Sequence, residues 1–283
     1  MTAPQHDEGG ESACWLDLVD DEGRIVTRSD DLADSRMVDP MRWLYVSFDV
    51  PESASDVAEA FWPAVLGWEL GEPWHGHSEF RSLRPPGGDT YAHLQRVDGP
   101  LAVHFDVGVD DVAAAAARLV ALGATQLADF DIWRVMRSPG GMAFCLVPGG
   151  GETVPPPAVW PDGHRSRLVQ LCVDSPPALH DAEVEFWRAA TDWRYETSVL
   201  PEYGGKLFPP SPAPVRLLFQ RLGEDDSGTS ARAHVDLGTD DIAAEVARVE
   251  ALGATRSPYE GEGWVQLADP GGMAFCVTRI PPE

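Results

Sequence analysis

Apolar and polar positions alternate through residues 42–50, with Leu44, Val46 and Phe48 on one face and Trp43, Tyr45 and Ser47 on the other. A period of two over that length predicts a strand. Residues 56–66 change to a helical spacing, with Pro63 inside the segment expected to kink or shorten it. Gly67 suits the helix-ending position, where glycine accepts a left-handed backbone. Further strands are expected near Glu69, near Phe80, and over residues 91–97 and 102–107. Asp110 or Asp111 then offers a side-chain cap to a second helix. In a later segment Ile242, Val246, Val249 and Leu252 share one helical face, and Gly253 ends it. Strands over residues 264–268 and 274–278 complete the pattern.

The pattern occurs twice. Phe61-Trp62 through Gly67-Trp68 corresponds to Phe186-Trp187 through Asp192-Trp193. Residues 109–125 and 239–255 share 11 of 17 positions, and the run Gly140 to Cys145 is repeated as Gly271 to Cys276. Three blocks in one order mark a duplicated unit. The reading divides the chain into a tail over residues 1–40, a first copy over 41–148, a linker over 149–164 and a second copy over 165–280. A short helix or hairpin is expected near residues 14–26 of the tail. The linker runs from glycines to prolines, which reads as flexible first and stiffer after. Each copy reads as two βαβββ rounds, so the fold class is α+β. Two such rounds side by side make a curved mixed sheet with helices outside and a cup inside.

Composition narrows the partners. The formal charge is −25, from 46 acidic against 21 basic residues. Such a surface repels phosphate backbones, which argues against nucleic acid and anionic membranes. No apolar run is long enough to span a bilayer. The four cysteines form no C-x-x-C pair, and a reducing cytoplasm is the expected setting. A homo-oligomer is compatible with all of this.

The order Phe-Trp-x-x-x-Leu-Gly-Trp, then His-x-Asp-Val-x-x-Asp-Asp, then Leu-Gly-Ala, then Asp-Pro-x-Gly-x-x-Phe-Cys resembles the vicinal oxygen chelate superfamily. It is most similar there to glyoxalase-like domains, and the superfamily also holds bleomycin-resistance proteins and extradiol dioxygenases. The resemblance covers both copies and implies tandem cup-shaped domains. It also implies a divalent ion at the floor of a cup in the members that are metalloenzymes. Their ligands come from the first strand, from the strand opening the second round, and from the last strand. Carried over, the second position is His104 and His234. The first falls on Trp43 and Leu168, and the last on Cys145 and Cys276. One histidine and one thiol per copy fall short of the three protein ligands of a catalytic site. The expectation is therefore no cofactor, with a divalent metal conceivable on an incomplete ligand set.

The site expected from sequence centres on His234 and His104, groups able to hold or move a proton near neutral pH. Trp43, Tyr45, Asp106, Trp133 and Cys145 are the ligand-facing candidates of the first copy. Leu168, Gln170, Asp236, Trp264 and Cys276 are those of the second. Trp133 and Trp264 sit at matching places and suit either stacking on a flat ligand or plugging a cup. Trp43 and Tyr45 are bulkier than Leu168 and Gln170, which favours the second copy as the working one. The leading expectation is a cup that binds a small organic molecule without a metal. The alternative is a lyase or isomerase acting on a small carbonyl or polyketide-like compound, with His234 handling protons and Asp236 or Gln170 orienting the substrate.

Overall fold

The computed structural model describes residues 41–283, so the element expected near residues 14–26 lies outside the described residues. The first half runs β1 (Trp43–Pro51), α1 (Glu52–Leu66), β2 (Glu69–Trp74), β3 (His77–Arg84) and β4 (Ala92–Val97). It repeats the motif with β5 (Ala102–Val109), α2 (Val112–Ala121), β6 (Thr125–Asp129), β7 (Arg134–Arg137) and β8 (Ala143–Pro148). A short β9 (Ala158–Val159) precedes the second half: β10 (Arg165–Ser175), α3 (His180–Thr191), β11 (Arg194–Glu196), β12 (Tyr203–Phe208) and β13 (Arg216–Arg221). The last round is β14 (Arg232–Thr239), α4 (Ile242–Ala251), β15 (Thr255–Gly261), β16 (Trp264–Ala268) and β17 (Ala274–Thr278).

Each half forms one mixed sheet with the same topology. The orders are β2-β3-β4-β1-β5-β8-β7-β6 and β11-β12-β13-β10-β14-β17-β16-β15, with β9 added beside β10. The two βαβββ rounds of a half meet through their first strands, β1 antiparallel to β5 and β10 antiparallel to β14. Both faces of these central strands are covered, so nearly every residue in them is buried.

Local details refine the sequence reading. α1 begins at Glu52, four residues earlier than the spacing suggested, and continues one turn past Pro63. Gly67 takes φ 70°, and its N–H closes the helix on the Pro63 carbonyl. The caps settle on the second acid of each pair: Asp111 accepts from Ala114 N at 2.9 Å and Asp241 from Ala244 N at 3.0 Å. Leu252 is not on the buried face of α4; the helix ends at Ala251 and Leu252 is exposed.

The helices lie on the face of each sheet away from its cup, and there the two halves meet. Trp62 of α1 stacks on Phe48 of its own β1 and packs edge-on to Phe275 of the other half. Trp187 of α3 reaches across in turn, tilted against Phe105 and edge-on to Phe144 of the first half. Arginines answer each other too. Arg118 of α2 donates to the Ala190 carbonyl near the end of α3, and Arg248 of α4 donates to Ala64 and Val65 at the end of α1. Each cation thus sits on the free carbonyls of the other half's first helix, where the helix dipole is negative.

The matching Gly-Gly turns are braced by carboxylates from different places. In the second half Asp269 accepts from Gly271 N and Met273 N of its own turn and from Trp62 Nε1 across the interface. The first half has Ser138 at that position. The carboxylate comes instead from Glu183 of α3, which accepts from Ser138 Oγ at 2.6 Å, Gly140 N at 2.8 Å and Trp187 Nε1 at 2.7 Å.

Two glycines of the linker serve close packing. A Cβ on Gly151 would lie 2.4 Å from the Trp43 ring, and one on Gly150 would lie 3.2 Å from Trp43 Cβ. The backbone at residues 150–151 therefore lies flat on Trp43, which is fully buried. Among the described residues, no helix is long and apolar enough to cross a membrane.

Candidate functional site

Strand alternation builds the second cup. Leu171 and Val173 of β10 turn to the helix-covered core, so Gln170, Cys172 and Asp174 turn the other way. Across from them β14 presents Asp236 opposite Gln170 and His234 opposite Cys172. Cys276 of β17 stands beside Asp236. All six line one cavity of about 990 Å³. Its walls add Leu218 and Gln220 of β13, Tyr203 and Lys206 of β12, and Trp264 and Gln266 of β16, with Leu200 and Tyr259 also lining it. That volume lies at the upper end of the range for small-molecule sites, and the pairing of apolar walls with convergent polar groups is characteristic of them.

Leu168 does not belong to this cavity. β10 carries a bulge between Leu168 and Gln170, which leaves Val169 unpaired and sets Leu168 opposite Leu237. The extra residue flips the alternation, so Leu168 joins the buried core. Its carbonyl accepts from Tyr91 Oη of the first half at 2.7 Å. The cup face of β10 is instead made by Gln170, opposite Asp236, and Cys172, opposite His234.

His234 is held between two carboxylates. Nδ1 lies 2.7 Å from Asp174 Oδ2, and Nε2 lies 3.4 Å from Asp236 Oδ1 and 3.5 Å from Cys276 Sγ. Burial disfavours the imidazolium, but charge on its neighbours, Asp174 foremost, outweighs burial and holds the pKa well above 6.5. Gln170 Nε2 donates a short hydrogen bond to Asp236 Oδ2, and Arg216 Nε donates to Gln170 Oε1 at 2.7 Å. Asp236 Oδ1 is left buried and accepts no hydrogen bond. Burial raises the thiol pKa of Cys172 and of Cys276, so neither is a ready thiolate nucleophile.

The first half repeats the polar core in more crowded surroundings. His104 Nδ1 lies 2.9 Å from Asp49 Oδ2, and Nε2 lies 3.4 Å from Asp106 Oδ1. Cys145 stands beside Asp106 on β8, and burial pushes its thiol up to about 11. Ser47 donates to Asp106 Oδ2 at 3.2 Å. Around this core the space is taken by rings. Tyr45 lies against Trp43 and His93, and Trp74 contacts His93 and stacks on Phe80. Trp133 stacks on Phe130, with ring centroids 4.4 Å apart, and meets His77 edge-on. His93 is buried with neither ring nitrogen hydrogen-bonded, and burial pushes its pKa down to about 4. Where the second half has Leu218 opposite Cys172, the first half has His93 opposite Ser47.

Sequence reasoning singled out both histidines, both aspartates two residues on, and both thiols, and the structure brings each set together. It missed Asp49 and Asp174, which grip the Nδ1 atoms. Their signal was the period-two row Gln170, Cys172, Asp174 set between apolar residues. The missing third donor also has an address: Asp106 and Asp236 join the histidine and thiol of their half, with donor atoms within 4.8 Å of one another. The ligand set that looked incomplete is filled from the same strand as the histidine, because residues i and i+2 share a face.

A curved sheet of paired βαβββ rounds around a polar cup defines the vicinal oxygen chelate architecture. Residues 45–147 and 170–278 each match the glyoxalase-like domain family, and the chain belongs to that family. Among solved structures it is similar to the Mn(II)-bound glyoxalase from Novosphingobium aromaticivorans, with TM-score 0.63, 17% identity, and coverage of 87% of this chain and 83% of that one. A mutant of 4-hydroxymandelate synthase from Streptomyces coelicolor gives TM-score 0.56 at 16% identity, over 84% and 92% of the two chains. A catechol 2,3-dioxygenase gives 0.55 at 14%, over 86% and 90%. No curated protein matches. At these identities the structural likeness concerns the fold.

A divalent ion fits the residues present. Metal–donor lengths of about 2.0–2.3 Å at a tetrahedral angle put neighbouring donors roughly 3.3–3.6 Å apart. His234 Nε2 lies 3.4 Å from Asp236 Oδ1 and 3.5 Å from Cys276 Sγ. Asp236 Oδ1, buried without a hydrogen bond and facing His234 Nε2 at 3.4 Å, is the atom such an ion would satisfy.

Proposed function

We propose that the chain binds a small organic molecule in the cup of its second half, and that the first half is a filled structural partner. The contrast between the cups carries this reading: about 990 Å³ of space over the His234 floor, against a packed set of rings over His104. Trp264 and Tyr203 offer faces for a flat ligand, Leu218 and Leu200 offer apolar wall, and Gln220 and Gln266 offer hydrogen bonds. Tyr203 remains a neutral donor, because burial pushes its pKa up to about 12.

A titration of tryptophan fluorescence with a panel of small phenols and ketones, catechol first, tests the proposal. A saturable change is expected in the parent chain and a much weaker one in Leu218→Trp, which narrows the cup above Cys172 and His234. A response that survives Leu218→Trp and disappears when a residue of the first cup is changed would overturn it.

A second reading, turnover of a small carbonyl compound by a lyase or isomerase, is favoured by one observation: three buried donor residues converge at the floor of the open cup rather than on its rim. A divalent ion there would supply Lewis-acid polarisation of a substrate oxygen. The residues that would hold it are His234, Asp236 and Cys276, while Trp264 and Tyr203 would hold the substrate ring. Under this reading His234→Ala abolishes turnover and leaves the binding signal in place. Turnover that persists in His234→Ala would remove it.

A further inference from the structure

We infer that the floor of the second cup takes a divalent ion of borderline softness, Zn²⁺ rather than Mn²⁺, through His234 Nε2, Asp236 Oδ1 and Cys276 Sγ. The inference rests on the reading of that cup as the working site, and it concerns how this chain's own residues differ from a hard-ion site. A thiolate in the ligand set favours zinc, whereas manganese prefers oxygen donors. Three protein donors leave a fourth position, which opens on the cavity.

Two of the three donors are aimed by a neighbour. Asp174 occupies His234 Nδ1 at 2.7 Å, so only Nε2 faces the floor. Gln170 occupies Asp236 Oδ2 and is itself fixed by Arg216, so only Oδ1 faces the floor. On the first strand, Cys172 stands opposite His234 and the orienting amide of Gln170 opposite Asp236, so the carboxylate donor comes from β14. Partners of this kind tune ligand orientation and basicity in metal sites.

The duplication supplies an independent comparison. The surrounding residues have diverged, Tyr45 against Gln170 and Ser47 against Cys172. Even so, the His104 Nε2 to Asp106 Oδ1 distance is again 3.4 Å, and Asp106 Oδ1 is again buried without a hydrogen bond. Two differently furnished cups keep the same oxygen, without a hydrogen bond, beside the same nitrogen and thiol.

Cobalt(II) absorption on chelator-stripped full-length chain tests the inference. Thiolate ligation gives a near-ultraviolet sulfur-to-cobalt band, and tetrahedral geometry gives intense visible bands. Both are expected in the parent chain and in Cys145→Ser, where the first-half thiol is gone. In Cys276→Ser the sulfur band is expected to vanish, and Asp236→Asn should bind cobalt at least about tenfold more weakly. Competition calorimetry should place Mn²⁺ at least about a hundredfold weaker than Zn²⁺. Thermal melts of the metal-free variants separate lost ligation from lost folding, and the parent spectrum needs no substitution at all. Absence of the sulfur band in Cys145→Ser, its survival in Cys276→Ser, or equal affinity for Mn²⁺ and Zn²⁺ would overturn the inference. Catechol titrated into chelator-treated protein reads the cup separately: binding there with no cobalt spectrum would defeat this inference alone, and a cobalt spectrum in a cup that takes no small molecule would defeat the binding reading alone.

Discussion

At the scale of single residues, the cup is defined by what each side chain leaves free. Asp174 is expected to act only through His234. Replacing it as Asp174→Asn should lower cobalt affinity about 10- to 100-fold while keeping the sulfur band, since the first ring of donors stays intact. Unchanged affinity would show that Asp174 does not orient the imidazole. Gly151 makes a second, simpler case. Its missing Cβ lets the backbone lie on the buried Trp43 ring, so Gly151→Val should cost about 1–3 kcal/mol in chemical unfolding, as overpacking does. A stability equal to the parent would mean that the backbone can lift off the ring at no cost. The thiols were legible in sequence because they lie in a block repeated between copies, and the histidines with Asp106 and Asp236 because both copies carry the His-x-Asp pattern. Leu168 was misplaced for a physical reason: one unpaired residue, Val169, reverses which face a strand position shows, and no spacing in the sequence announces a bulge.

At the scale of elements, the halves are joined by reciprocal contacts that substitutions can exchange. Glu183 is fully buried and accepts from three donors, two of them in the opposite half. Glu183→Ala should therefore destabilise by about 3 kcal/mol, since it strands those donors. Ser138→Asp supplies a carboxylate where Asp269 stands in the other turn, so the double variant should recover at least about 1 kcal/mol of that loss. Strict additivity in that cycle would contradict the account. A second contact is expected to respond to pH. His164, at the turn into β10, lies 2.8 Å from Glu245 of α4 and also contacts Asp162, while Arg248 shares Glu245. Burial works against its imidazolium, but the hydrogen bonds to Glu245 and Asp162 outweigh burial and raise the pKa above 6.5. A raised pKa means that the folded state holds the proton longer. The stabilisation is then complete below pH 6.5 and is lost as pH rises through the folded value. Unfolding of parent and His164→Phe compared across pH should show a difference that shrinks above pH 6.5, and a difference independent of pH would refute it. The βαβββ order was legible because apolar periods of 2 and 3.6 alternate along the chain and glycines close the helices. The swap of a turn carboxylate for a helix carboxylate was not, because Ser138 and Glu183 are 45 residues apart and only folding brings them together.

At the scale of the whole molecule, duplication supplied two cups and divergence furnished them differently. Rings fill the first, and the linker seals Trp43 at its end. The second keeps its space because Gln170 and Leu218 stand where the first has Tyr45 and His93. That asymmetry was partly legible, since Trp43 and Tyr45 are visibly larger than their counterparts. The contribution of Trp74, Phe80 and His93 was not, because those side chains come from strands whose register only the sheet fixes. With the helix faces locked together between the halves, both cups open away from the interface, and a ligand can enter the second without parting the halves. Crystallographic screening of a library of small aromatic and carbonyl fragments tests this most directly. The account predicts bound fragments against Trp264, Tyr203 and Leu218 above His234, and none above His104. Fragments seated above His104, or a second cup closed by its own side chains, would contradict it.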